Sequence, residues 1–72
     1  MPQRAMRSLR VWPDYFYQDA DEPQPTDRSD DWMLVRVPAD ATDALLARLV
    51  AMAADGAPQA ALDDETRWAL GG

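Results

Sequence analysis

Residues 32–55 read WMLVRVPADATDALLARLVAMAAD, and a change in apolar spacing along them decides the fold class. Over Trp32–Val37 most residues are apolar, and β-branched and aromatic side chains dominate, which predicts a strand. Alternation would divide its side chains between two faces: Met33, Val35 and Val37 on one, and Trp32, Leu34 and Arg36 on the other. Because both faces are largely apolar, one is expected to pack on a helix and the other on a partner.

The second part of this stretch predicts a helix over Asp40–Asp55. Its leucine, valine and methionine residues recur at three- and four-residue spacing, and alanines of high helix propensity fill most other positions. Either Asp40 or Thr42 is suited to cap the first turn. Gly56 is suited to end the helix, since Pro58 follows it closely.

Upstream, Ser8–Trp12 alternates and predicts a first strand, with Leu9 and Val11 on its buried face. Paired antiparallel with Trp32–Val37, it would form a hairpin. Residues 1–7 carry arginines and no acid and are predicted to be a flexible basic arm, which leaves residues 8–72 as one small domain.

Residues 18–31, here called the acidic segment, are predicted to be a loop. Only Arg28 offsets its six acids, which are Asp19, Asp21, Glu22, Asp27, Asp30 and Asp31. Without a large apolar residue the segment is expected to be either flexible or functional. Its spacing does not fit a calcium-binding EF-hand, because Pro23 takes a ligand position and Gln24 the glycine position.

The tail, residues 59–72, allows two interpretations. A short helix starting at the acidic run 63–65 would let Trp68 pack back on the core, whereas Thr66–Leu70 could alternate as a third strand. The helix is favoured. The sequence thus predicts an α+β domain in which an antiparallel β-hairpin packs on one amphipathic helix (ββα), followed by a short C-terminal helix or strand.

Composition limits the function. The 72 residues suffice for one domain. The absence of cysteine and histidine excludes disulfides, thiolate nucleophiles and the commonest general base, so no enzyme activity, cofactor or metal is expected. A net charge of −6 argues against direct nucleic-acid or membrane binding. No targeting or membrane-spanning stretch is visible, and the cytoplasm is the expected location.

These features predict a binding protein that places its acidic segment on a basic surface of another protein. The expected partner-binding residues are carboxylates and neighbouring aromatic anchors: Asp19, Asp21, Glu22, Asp27, Asp30, Asp31, Tyr15, Tyr17 and Trp32. In size and charge the chain resembles small acidic inhibitors of phages and mobile elements, among them anti-CRISPR proteins and other nucleic-acid mimics. This resemblance implies an inhibitor or adaptor and rests on bulk properties alone.

Two alternatives remain. Surplus apolar surface on the helix and strand favours a self-associating structural or antitoxin-like module, with a homodimer as the expected assembly. The final Gly71-Gly72 resembles the ends of ubiquitin-like carrier proteins. That family has a β-grasp fold with strands on both sides of its helix, and the sixteen residues after Gly56 are too few for them.

Overall fold

The computed structural model describes residues 5–71 and has three strands and two helices. These elements are β1 (Met6–Val11), β2 (Tyr17–Asp19), β3 (Met33–Pro38), α1 (Asp43–Ala54) and α2 (Gln59–Ala69). The strands form one antiparallel sheet in the order β2-β1-β3. The α+β class is confirmed, but the ββα arrangement is wrong in detail, because the sheet has an additional strand, β2, and the C-terminal element is a second full helix of 11 residues.

The predicted pairing of the first strand with the strand after the acidic segment is confirmed. Leu9 lies opposite Val35 in the register of β1 and β3. Because β1 begins at Met6, it includes two residues that were assigned to the basic arm, and residues 1–4 of that arm lie outside the described residues. The acidic segment likewise begins inside β2, since Gln18 pairs with Arg10 of β1.

Residues 12–16 connect β1 to β2, and residues 13–15 form a three-residue turn inside the hydrogen-bonded pair of Trp12 and Phe16. The Trp12 amide donates to the Phe16 carbonyl at 2.9 Å, and the Tyr15 amide donates to the Trp12 carbonyl at 3.0 Å. Pro13 is the second residue of the four-residue turn Trp12–Tyr15, a position that suits its fixed φ. Tyr15 has a φ of 71°, in the left-handed region. A turn followed by one left-handed residue is a common hairpin connection. Tyrosine here accepts a backbone strain that glycine would avoid.

Helix α1 has the predicted cap. The Thr42 hydroxyl accepts the Leu45 amide at 3.2 Å, so Thr42 rather than Asp40 is the N-cap, and Asp43 lies in the first turn. After the helix, Gly56 adopts a φ of 96°, and its amide donates to the Ala53 carbonyl. The predicted glycine stop is therefore confirmed.

The tail is helical, as the favoured interpretation predicted, but α2 begins after Pro58 and not at the acidic run. The expected packing of Trp68 on the core is wrong, because 73% of its surface is exposed. Leu62 is fully buried in its place. Six residues separate the two, so at about 100° per residue they lie roughly 120° apart around the helix and cannot share a buried face.

The main core lies between the sheet and the two helices. Helix α1 contacts β1 and β3, and α2 contacts α1 and β3. The buried residues of this core are Leu9, Val11, Val35, Val37, Leu45, Leu49, Val50, Ala53 and Leu62. Among the residues described, neither helix has the length and apolar character needed to cross a membrane.

Candidate protein-binding surface

The sheet has an inner face toward the helices and an outer face against which the acidic segment lies beyond the end of β2. Leu9 and Val11 point inward, so alternation places Arg10 and Trp12 on the outer face. Trp12 is only 2% exposed although it is not part of the helix-side core. Its indole N–H donates to the Ser29 carbonyl at 2.9 Å. The acidic segment therefore covers Trp12 and is hydrogen-bonded to it.

Arg28 fixes the second half of the acidic segment to the β1–β2 turn. Its guanidinium carbon lies 4.2 Å from the Phe16 ring centroid and 5.1 Å from the Trp12 ring centroid. The same guanidinium forms a 2.5 Å ion pair with the Asp14 carboxylate. A cation–π contact contributes more stabilising free energy when the cation is partly removed from water. The Arg28 side chain meets this condition because it is three-quarters buried. The only arginine of the acidic segment thus anchors it.

Arg10 fixes the first half of the segment. Its Nη1 donates to the Glu22 carbonyl at 2.9 Å and to the Gln18 side-chain oxygen at 3.1 Å. The guanidinium also lies over the Trp32 ring, 5.3 Å from its centroid. Since these bonds go to carbonyl groups, Arg10 orders the backbone of the segment and leaves its carboxylates unneutralised.

The predicted acidic residues divide into one that is paired and five that are not. The Asp19 carboxylate forms a 3.2 Å ion pair with Arg7. The other five acids are exposed and have no arginine partner within residues 5–71: Asp21, Glu22, Asp27, Asp30 and Asp31. Two of these accept neutral hydrogen bonds, Asp30 from Gln24 at 2.7 Å and Asp31 from the Ser29 hydroxyl.

The β1–β2 turn and the acidic segment enclose an open cavity of about 370 Å³. Its lining comprises Trp12, Pro13, Asp14, Asp27, Arg28, Ser29 and Asp31. The hydrogen bond from Arg28 lowers the pKa of the Asp14 carboxyl below its ordinary value, and the charge of Arg28 adds to this effect. Sequence reasoning missed Asp14, and the available signal was that Arg28 is the only cation in the segment. No group of three or more acidic side chains within residues 5–71 is placed to hold a metal ion.

The predicted aromatic anchors do not lie together. Trp32 lies with Arg10 near the acidic segment. Tyr17 lies opposite Val11, whose side chain points inward, so it belongs to the other face of the sheet. The Tyr15 hydroxyl donates to Asp55 after α1 at 2.7 Å, and this hydrogen bond raises the pKa of Tyr15. Tyr15 thus joins the turn to the helix, although its side chain is half-exposed.

The chain matches no family model, and no curated protein and no solved structure matches it.

Proposed function

We propose that this chain is a small acidic binding protein, an inhibitor or adaptor, that presents its acidic segment to a basic surface of another protein. One observation carries the proposal. Five exposed carboxylates that have no arginine partner among residues 5–71 lie on a segment whose backbone is held by Arg10, Arg28 and Trp12. The negative charge is thereby concentrated and held in place.

Fixed geometry matters because ordering a flexible loop at an interface costs free energy. A segment that is already ordered loses less entropy on binding, and its carboxylates can be spaced to meet a row of cations. Such complementarity mainly speeds association and selects basic partners. A surface that binds phosphate groups is basic, which is why mimicry of a nucleic acid is a specific form of this proposal.

The test compares two triple variants with equal charge change. One is Asp21→Asn/Glu22→Gln/Asp27→Asn, which neutralises carboxylates of the acidic segment that lack a side-chain partner within residues 5–71. The matched control is Asp43→Asn/Asp64→Asn/Glu65→Gln, which neutralises three acids of the two helices, outside the segment. The partner is captured on immobilised protein from bacterial lysate and identified by mass spectrometry, and its affinity for each variant is then measured.

The segment variant is expected to lose about tenfold in affinity, since three exposed charge pairs of roughly 0.5 kcal/mol each correspond to that factor. The control is expected to change less than about twofold on the same basis. Association should also slow as salt rises from about 0.05 to about 0.5 M, over which screening becomes strong. Equal loss in both variants, or binding that salt does not affect, would contradict the proposal.

Self-association is the second candidate function, and exposed apolar side chains favour it. Leu34 is 58% exposed on β3 and Trp68 is 73% exposed on α2. A concentration-dependent dimer in analytical ultracentrifugation that Leu34→Ala or Trp68→Ala dissociates, with no heterologous partner retained, would support this alternative.

A further inference from the structure

The outer edge of β3 is closed at one end and open at the other. All of Met33–Pro38 lies opposite β1, and the Ala39 amide donates to the Ala5 carbonyl, so antiparallel alternation directs the backbone groups of residues 33, 35 and 37 toward β1. The backbone groups of the alternate residues therefore point away from the sheet. At Arg36 the Gln59 side-chain amide satisfies both groups, accepting the Arg36 amide at 2.9 Å and donating to the Arg36 carbonyl at 3.0 Å.

The other outward positions differ from Arg36. Pro38 ends the strand and has no N–H to offer, which is a common protection of sheet edges. Leu34 has no hydrogen-bond partner for its N–H or C=O within residues 5–71, and its side chain is 58% exposed. Trp32, two residues earlier, is also without a backbone partner there. The open part of the edge is thus Trp32–Leu34.

The residues that immediately precede this open edge in the chain carry negative charge, which favours a basic occupant. Asp30 and Asp31, both exposed, immediately precede Trp32. A second copy of this chain fits poorly. Antiparallel pairing about Leu34 would place Arg36, whose backbone groups Gln59 already occupies, opposite Trp32 of the copy. Two chains of charge −6 also repel each other.

We infer that the basic partner binds by adding an extended strand to the open edge of β3 at Trp32–Leu34, with a lysine or arginine directed toward Asp30 and Asp31. This inference rests on the proposed function and names the recognised element. Strand addition supplies affinity through main-chain hydrogen bonds and specificity through alternate side chains. An apolar residue opposite Leu34 would contact it on the outer face, and the residue two positions away, about 7 Å along the strand, would carry the cation.

The probe for this inference is the acetylated and amidated peptide QTVTK. In antiparallel pairing its valine lies opposite Leu34 and its lysine lies at the Asp30 end. Two control peptides separate the contributions: QTVTK with an N-methylated valine cannot donate to the Leu34 carbonyl, and QTVTE reverses the charge. Binding is followed through the backbone amide shifts and the hydrogen exchange of Leu34.

We expect saturable shifts centred on Leu34 and slower exchange of its amide. Affinity should fall about fivefold with the N-methylated peptide, which is the effect of one net hydrogen bond, and also with QTVTE. Leu34→Pro should weaken binding similarly, because it removes the N–H that would donate to the peptide. The variant should still fold, since this N–H points away from the sheet and makes no hydrogen bond to β1. Gln59→Ala should strengthen binding, since it frees the Arg36 backbone groups.

Equal affinity for QTVTK and its N-methylated form, or the absence of saturable shifts at Leu34, would overturn the inference. The N-methylated peptide decides the matter even where Leu34→Pro does not fold, because it leaves the protein unchanged. Failure of the proposed function can be told apart from failure of this strand-addition inference. In that case the captured partner would bind the Asp21→Asn/Glu22→Gln/Asp27→Asn variant as tightly as the wild type, whatever the peptides do.

Discussion

The two faces of the sheet are covered by different kinds of interaction. On the inner face, two helices bury aliphatic side chains such as Leu49 and Val37, which are both fully buried. On the outer face, the acidic segment covers Trp12 with arginine–aromatic contacts and single hydrogen bonds. The packing of the inner face depends on apolar area removed from water, and the attachment of the acidic segment to the outer face depends on a few directed polar contacts.

This difference indicates a division of roles. Burial of aliphatic side chains on the inner face supplies most of the stability of the fold. The arginines on the outer face contribute less to folding but hold a highly charged segment against the sheet. Such a segment would otherwise be too polar to order itself. Variants on the two faces should therefore differ in whether they unfold the domain or only release the segment.

The largest effect is expected on the inner face, from Leu49→Ala. Truncating a fully buried leucine typically costs about 2–5 kcal/mol, against a total stability of roughly 4–10 kcal/mol for a domain of this length. The matched control is Leu34→Ala, the same truncation at a site that is 58% exposed, for which a change within about 0.5 kcal/mol is expected. Urea denaturation followed by circular dichroism measures both, and similar losses would contradict the assignment of the core.

An intermediate effect is expected on the outer face, from Arg28→Ala. Loss of the contacts with Trp12 and Phe16 should reduce stability by about 1–2 kcal/mol. The clearer effect should be local, as faster exchange of the Trp12 indole N–H, which donates to the Ser29 carbonyl, while the amides of β1 and α1 stay protected.

Two comparisons sharpen the Arg28 experiment. Arg28→Lys keeps the charge but loses the planar stacking surface, so it should restore only part of the protection. Arg36→Ala removes an exposed arginine that has no ring contact among the described residues, and exchange of the Trp12 indole N–H should not change. Uniform acceleration across the whole chain by Arg28→Ala would show that the two faces are not separable.

The smallest effect is expected from the protonation of Asp14. Its pKa is lowered by the hydrogen bond from Arg28, so this contact stabilises the folded state above the unfolded pKa of Asp14 and is lost as pH falls through the lower, folded value. Titration of the carboxyl by NMR should place its midpoint below that of an ordinary aspartate, and Arg28→Ala should raise it. An unchanged midpoint in Arg28→Ala would contradict the ion pair.

The parts of the fold that were predicted correctly are those that depend on residues close together in the sequence. The strand after the acidic segment, the Thr42 cap and the Gly56 stop each follow from spacing or from one residue's backbone preference. The acidity of residues 18–31 was also evident, since charge is a property of the sequence itself. The predicted start of α2 is wrong because the acids at 63–65 resemble a first helical turn, whereas the helix begins at Gln59, directly after Pro58.

The candidate site was predicted only in part, because its geometry depends on contacts between distant residues. Trp12 and Ser29 are seventeen positions apart, and nothing in their local sequence links them. Asp14 was missed for the same reason, since its role comes from Arg28 across the turn. The aromatic anchors were grouped by chain proximity, whereas strand alternation places Tyr17 on the opposite face from the acidic segment.

Residue pattern alone is enough to predict the α+β class, the amphipathic helix, the antiparallel pairing of β1 with β3 and the charge of the acidic segment. These depend on composition and on periodicity, which are local quantities. The folded arrangement is needed to see that the segment is held on the outer face and that Gln59 occupies the outward backbone groups of Arg36 on the β3 edge. Both depend on single long-range contacts, and these form only after the inner core has fixed the sheet and helices in place.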